Sequence, residues 1–138
     1  MERSDEVRDL IVRVFDGFGK PGMGDLFLEA MAHEEGLLFV GTDPAEWWDD
    51  ESAVVRAFRA QGEELQGASM AVLSADGWAD GDTGCASARV EVSFGDSPGG
   101  RMRFTATCVR RDGDWKLLQG HLSIGAANEE VLGTELTV

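Results

Sequence analysis

Four polar side chains in the second half of the chain have the types needed for acid/base chemistry and ligand binding: Arg89, Glu91, Gln119 and His121. An imidazole titrates near neutral pH, and a neighbouring carboxylate orients it and raises its pKa. His121 with Glu91 would therefore form an acid/base pair suited to hydrolysis, dehydration or proton abstraction. Arg89 and Gln119 would bind the ligand beside this pair. The alternative is structural: Arg89 and Glu91 form an ion pair and His121 is a core histidine.

The turns between the strands predict that these side chains meet. Asp80-Gly81 and Asp112-Gly113 are dipeptides favoured in two-residue hairpin turns, and residues 96–100 make a longer turn. We pair Phe94 with Arg101 across that longer turn. Counting back from the three turns predicts two rows across the sheet: Val72, Arg89, Ala106 and Gln119 in one row, and Met70, Glu91, Phe104 and His121 in the next. One sheet face then combines these polar groups with apolar neighbours, as small-ligand pockets do.

Ser123 lies two residues beyond His121, on the same strand face, and is a further candidate for ligand binding. No third partner makes a catalytic triad evident. A one-residue slip in the middle hairpin would move Arg89 and Glu91 to the other face of the sheet.

The elements that must position this site change character at about residue 67. Apolar residues recur at three- and four-residue steps in the first half, which predicts helices over residues 7–18, 25–32 and 51–65, with a strand over 36–40. The period is two in the second half. It predicts four strands, over residues 68–78, 83–94, 101–111 and 114–125. This order is α+β, with three N-terminal helices on one face of a curved antiparallel sheet.

The other sheet face is predicted to be apolar, because it carries Val90, Val92, Leu118 and Leu122. Large exposed apolar faces are rare on monomers. We therefore expect a homodimer through this face. Covering of the face by the C-terminal residues is the alternative.

Composition excludes several partners. The chain has 138 residues, 43% of them hydrophobic, and a formal net charge of −14. That charge repels nucleic acid and anionic lipid, so we expect neither nucleic acid nor membrane as a partner. The first residues lack the apolar segment of a signal peptide, and we expect a cytoplasmic protein.

Cysteine and histidine are too scarce for a disulfide framework or a zinc site. The chain has two Cys, Cys85 and Cys108, and two His, without metal-ligand spacing. We expect free thiols and no metal. No cofactor-binding loop is evident either, so we expect no cofactor.

Two segments carry a resemblance to a known family. Residues 41–48, GTDPAEWW, and residues 110–123, RRDGDWKLLQGHLS, resemble the SnoaL-like family, which belongs to the superfamily with the nuclear transport factor 2 fold, also called cystatin-like. The second segment is similar to the association domain of calcium/calmodulin-dependent protein kinase II. The resemblance implies a single cone-shaped domain over residues 1–138, with 126–138 as a tail, that dimerises through its sheet.

The resemblance also bears on individual residues. Asp43 falls where the ketosteroid isomerases, which this segment resembles, carry their general base. The phenol that those enzymes use as an oxyanion donor is absent, because the sequence has no Tyr. Asp43 is then alternatively a turn residue before Pro44. Trp47 and Trp48 would line the pocket mouth or pack in the core.

One further position departs from the kinase association domain. Its pocket arginine corresponds to Glu91 here, so the resemblance does not imply a carboxylate-binding pocket.

Two functions stay open. The first is a binder of a small, partly apolar molecule, which as an enzyme would be a cofactor-independent isomerase, hydrolase or lyase. The second is a homo-oligomeric association module without catalysis.

Overall fold

The computed structural model covers residues 1–138 and describes all of them except the side chain of Pro98. Seven strands and four helices follow one another along the chain: β1 (Glu2–Arg3), α1 (Asp5–Asp16), α2 (Met23–Glu29), β2 (Leu38–Val40), β3 (Trp47–Trp48), α3 (Glu51–Glu64), β4 (Ala68–Asp80), β5 (Thr83–Phe94), β6 (Ser97–Arg111), β7 (Asp114–Ile124) and α4 (Asn128–Leu132). The strands form one sheet in the order β1-β4-β5-β6-β7-β2-β3. The α+β prediction is confirmed.

Helix α1 begins and packs as its sequence predicts. The hydroxyl of Ser4 accepts a hydrogen bond from the backbone N–H of Val7, and two acidic residues occupy the first turn, where the helix dipole favours negative charge. Its apolar stripe, from Val7 to Phe15, is buried against the sheet. Helix α3 is capped in the same way, by the carboxylate of Asp50 on the N–H of Ala53. Helices α1 to α3 therefore cover one face of the sheet, called the inner face below.

The predicted registers of the hairpins are wrong, because each hairpin contains an irregularity. Between β4 and β5 the turn residues are 81–82, and a bulge at Leu73 shifts the pairing, so Val72 lies opposite Val90 instead of Arg89. Between β6 and β7 an extra residue, Leu118, sits in a second bulge. A bulge adds one residue to one strand and turns every following side chain to the other face.

The middle hairpin is tighter than predicted. Phe94 pairs with Ser97 across a two-residue turn, in which Gly95 adopts the left-handed backbone conformation that glycine permits. A further bulge follows, and Arg101 lies opposite Glu91 instead of Phe94.

These shifts turn β5, and β7 beyond its bulge, to the face opposite to the predicted one, whereas Met70 of β4 and Phe104 of β6 stay on the predicted face. Val90 and Val92 point inward and are buried in the core, and Leu122 also packs against that core. Three of the four residues predicted to form the dimer face, Val90, Val92 and Leu122, therefore lie on the inner face under the helices, and the fourth, Leu118, is the bulge residue of β7. Gly120 of β7 lies on this face too, where the ring of Phe39 occupies the space of a β-carbon.

The outer face is polar. It carries the alternate residues of the same strands: Cys85, Ser87, Arg89 and Glu91 of β5, Arg103, Thr105 and Thr107 of β6, and Gln119, His121 and Ser123 of β7. Cys108 lies on the inner face, so the two cysteines are on opposite sides of the sheet and both are free thiols. No helix within the described residues is long and apolar enough to cross a membrane.

Candidate functional site

A cavity of about 280 Å³ lies between the helices and the inner face. Its walls come from most of the fold. The helices contribute apolar side chains of α1, α2 and α3, and the sheet contributes inner-face residues of β2 and of β4 to β7: Phe39, Met70, Val92, Met102, Phe104, Leu117 and Leu122. Three exposed lining residues, Thr42, Glu64 and Phe94, mark its opening to solvent.

Aromatic rings form one wall of this cavity. The ring of Phe58 on α3 makes edge-to-face contacts with Phe27, Phe39 and Trp48, with centroid distances between 5.3 and 5.7 Å. Such edge-to-face pairs hold one another in place beyond the effect of their area. The wall is therefore a preformed apolar surface.

The polar end of the cavity is built on the turn between β2 and β3. Glu46 occupies this turn, half-buried, and its Oε1 accepts a hydrogen bond from the backbone N–H of Asp43 at 2.8 Å. Its Oε2 accepts a hydrogen bond from the amide Nε2 of Gln61 on α3, at 3.0 Å. The carboxylate is thus fixed between two elements, and it can accept a hydrogen bond or a proton from a molecule in the cavity.

Three residues predicted from the sequence line this cavity: Met70, Phe104 and Trp48. Trp47, the neighbour of Trp48, faces the other way. It is 61% exposed and lines a shallow groove on the outer face with Gln119, His121 and Thr105. Adjacent residues of a strand point to opposite faces, which separates the two indoles.

The acid/base pair of His121 with Glu91 is not formed, and the prediction that the four polar residues converge on one cavity is wrong. His121 pairs with Thr105, and Thr105 pairs with Ser87, four residues from Glu91 on β5. Four residues of strand span about 13 Å, in addition to two strand spacings of about 4.8 Å each. Glu91 instead contacts the guanidinium of Arg101 at 3.3 Å.

The other predicted residues also lie outside the cavity. Arg89 faces Arg103 on the outer face, and Ser123 is the neighbour of Arg103 on β7. Gln119 donates a hydrogen bond to the backbone carbonyl of Gly36 at 3.1 Å. These residues lie on the outer face, instead of the predicted inner face, because each hairpin contains one bulge residue.

Asp43 is a turn residue in this structure. Its carboxylate accepts a hydrogen bond from the backbone N–H of Ala45 at 2.8 Å, and its side chain is not among those lining the cavity. This is the geometry of an Asx turn, the alternative weighed above.

The sequence interpretation missed Glu46 and Gln61. Gln61 carried a usable signal, because it falls on the buried stripe of α3 with Val54, Phe58 and Leu65, where a polar residue is unexpected. Glu46 carried none, since its position depends on the turn. Among the described residues, no group of three or more His, Cys, Asp or Glu side chains is arranged to hold a metal ion.

Comparison with known proteins identifies the family. The model of the SnoaL-like domain matches residues 23–127. The chain belongs to the SnoaL-like domain family. This confirms the resemblance, and the matched residues include the β2–β3 turn and most of the elements that line the cavity. The comparison with curated proteins finds no match.

Solved structures share the cystatin-like fold of this SnoaL-like domain. A nuclear transport factor 2-like protein of unknown function from Pseudomonas putida has a TM-score of 0.76 at 20% identity, with 91% of this chain and 88% of that chain covered. A candidate ketosteroid isomerase from Shewanella frigidimarina has a TM-score of 0.68 at 11% identity, covering 87% and 96%.

A third similar structure is a candidate calcium/calmodulin-dependent protein kinase II association domain from Thiobacillus denitrificans. Its TM-score is 0.67 at 13% identity, and the alignment covers 91% of this chain and 98% of that chain. At these identities the likeness extends to the fold, the predicted cone of helices on a curved sheet, and not to an activity.

Proposed function

We propose that this SnoaL-like domain binds a small, largely apolar molecule in the cavity between its helices and the inner face. The observation that carries the proposal is the cavity itself: about 280 Å³ of space, open to solvent and lined mainly by aromatic and aliphatic side chains. Well-packed cores leave few voids larger than a water molecule. Space of this size inside the core is close to the lower limit of typical ligand pockets, which is about 300 Å³.

A neutral apolar dye tests this proposal. N-phenyl-1-naphthylamine has little fluorescence in water and brightens in apolar surroundings, so titration into the protein reports binding. We expect saturable binding at micromolar dye. Leu122→Trp replaces an aliphatic side chain of the cavity wall with a bulkier indole ring and should weaken binding at least tenfold, because the ring occupies the space of the dye.

The matched control lies two residues further along the same strand. Ile124 is exposed and is not among the residues that line the cavity, so Ile124→Trp should change dye affinity less than twofold. Circular dichroism and thermal unfolding verify that both variants fold. Absence of saturable binding, or equal loss in both variants, would contradict the proposal.

A second candidate function is self-association through the outer face. The supporting observation is Trp47, which lies in a groove with Leu38 and Val40 of the neighbouring strand and exposes 61% of its surface. Trp is enriched at the centres of protein interfaces, where a side chain that is exposed in the free subunit becomes buried by the partner. This proposal keeps the homodimer predicted from the sequence and changes the residues that form it.

Light scattering on a sizing column tests the second candidate. We expect a dimer at micromolar concentration, and a monomer for Trp47→Glu, because this change puts an unpaired charge into an apolar contact. Leu73→Glu is the control, since Leu73 is an exposed apolar residue in the bulge of β4. A wild-type monomer, or a dimer that survives Trp47→Glu, would overturn it.

A further inference from the structure

The hydrogen-bonding groups of the cavity are mostly acceptors. Four polar side chains line it, Thr42, Glu46, Gln61 and Glu64, and none of the described lining residues is Lys, Arg or His. An anionic ligand would therefore meet carboxylates without a compensating cation. The net charge of −14 adds to this repulsion and favours the approach of cations.

Glu46 and Gln61 are oriented so that both present acceptors. One N–H of the Gln61 amide donates to Glu46, and the amide oxygen of Gln61 is an acceptor that it offers to a ligand. Each carboxylate oxygen of Glu46 accepts one hydrogen bond within the protein and has a second lone pair. Within the described residues no basic side chain lies within ion-pair distance of Glu46.

A protonated amine has the complementary chemistry, since it carries three donors and no acceptor. Glu46 is half-buried at the solvent-facing end, so an ammonium beside it keeps part of its hydration and the desolvation cost stays limited. Trp48 also lines the cavity, and indole faces attract cations. The remaining walls are apolar and suit an aliphatic or aromatic body.

We infer that the ligand of this cavity is a small molecule with an apolar body and one protonated amine, which pairs with the carboxylate of Glu46. The inference rests on the proposed function and adds the class of ligand. It assigns Glu46 the role of selecting a cation, and Gln61 that of positioning the Glu46 carboxylate and supplying a further acceptor.

Three probes with the same phenylbutyl body distinguish the effect of charge from that of the apolar contacts: 4-phenylbutylamine, 4-phenylbutan-1-ol and 5-phenylpentanoate. The amine is charged at pH 7, because alkyl ammonium groups have pKa values of about 10. By calorimetry we expect the amine to bind at least tenfold more tightly than the alcohol, and the carboxylate to bind more weakly than the alcohol. This comparison uses the wild-type protein, so it does not depend on any variant folding.

Glu46→Gln removes the charge and keeps the shape. It should lower amine affinity about tenfold, to that of the alcohol, and change alcohol affinity less than twofold. Glu63→Gln is the matched control, because Glu63 is an exposed residue of the same helix as Gln61 and is not among the lining residues. It removes the same charge and should leave the preference for the amine intact.

The outcomes separate the two proposals. Equal binding of all three probes, or equal effects of Glu46→Gln and Glu63→Gln, would overturn the amine inference and leave the cavity as a binding site. No binding of any probe, together with no dye binding, would contradict the proposed function itself.

Discussion

The two faces of the sheet are made from alternate residues of the same strands, yet they differ in every property that bears on function. The inner face carries Val90, Val92 and Phe104, is buried under helices and borders the cavity. The outer face carries most of the charged and polar residues of these strands, Arg89, Glu91 and His121 among them. The richer set of chemical groups thus lies on the face without the cavity, and the cavity takes its hydrogen-bonding groups from a turn and a helix.

The comparison teaches that a site in this fold is not defined by the number of ionisable side chains that share a face. Glu91, on the outer face, is paired with Arg101 in solvent. Glu46 borders an apolar cavity and is held by two hydrogen bonds from the protein. A carboxylate held in place against apolar walls interacts more strongly with a ligand than one in water, because the surroundings screen it less.

The largest expected effect is the difference in stability between substitutions of two adjacent residues that lie on opposite faces. Val90 is 0% exposed, so Val90→Asp would bury a carboxylate without a partner and should lower the free energy of unfolding by more than about 3 kcal/mol. The adjacent residue, Arg89, lies on the outer face opposite Arg103. Arg89→Asp should therefore change the free energy of unfolding by less than about 0.5 kcal/mol. Urea unfolding followed by circular dichroism measures both. Similar losses in the two variants would mean that the assignment of the faces is wrong.

The regular repeat of buried residues explains which elements the sequence could predict. Helical and strand periodicity indicated α1, α3 and the four long strands, because burial repeats along each of them. The short strands β1 and β3 and the helix α4 were missed, since each has five residues or fewer and no measurable period. The α+β order followed from these periods, the family followed from the segments at residues 41–48 and 110–123, and the cone-shaped domain followed from the family.

The site could not be predicted because one extra residue in a strand is enough to move its side chains from one sheet face to the other. The strands themselves were found, but each hairpin contains one bulge residue, Leu73, Gly99 or Leu118, that the prediction did not include. Neither leucine differs in type from a regular strand residue. Bulges are set by twist and by packing of the whole sheet, which a count along one strand does not contain.

The two cysteines, one on each face, should differ by an intermediate amount in their effect on the free energy of unfolding. Cys108, on the inner face, is 0% exposed, and burial, with a smaller contribution from Cys85, raises the pKa of its thiol from 9.0 to about 12. The unfolded chain then loses this proton at lower pH than the native protein. Stability from this group is fully present below about pH 9 and is lost as the pH rises towards 12.

Between pH 8 and 10.5 the native protein should therefore lose about 2 kcal/mol of unfolding free energy through Cys108. Urea unfolding at the two pH values measures this loss, which Cys108→Ala should remove. Cys85→Ala is the control, because Cys85 is exposed on the outer face and makes only the smaller contribution to the pKa of Cys108, so this variant should keep most of the pH dependence of the wild type. The absence of tyrosine leaves fewer other groups to titrate in this range. An unchanged pH dependence in Cys108→Ala would contradict the prediction.

The smallest expected effect concerns Glu91, the residue first predicted to be catalytic. Its side chain is 46% exposed and its partner Arg101 is 79% exposed, and ion pairs of this kind contribute about 0.2 to 1 kcal/mol. Glu91→Gln should therefore lower the free energy of unfolding by less than about 0.5 kcal/mol and leave dye and amine binding unchanged. Glu46→Gln makes the same chemical change at the cavity and should weaken amine binding about tenfold. If Glu91→Gln weakened binding as much, the outer face would take part in the site, and the division of roles between the two faces would fail.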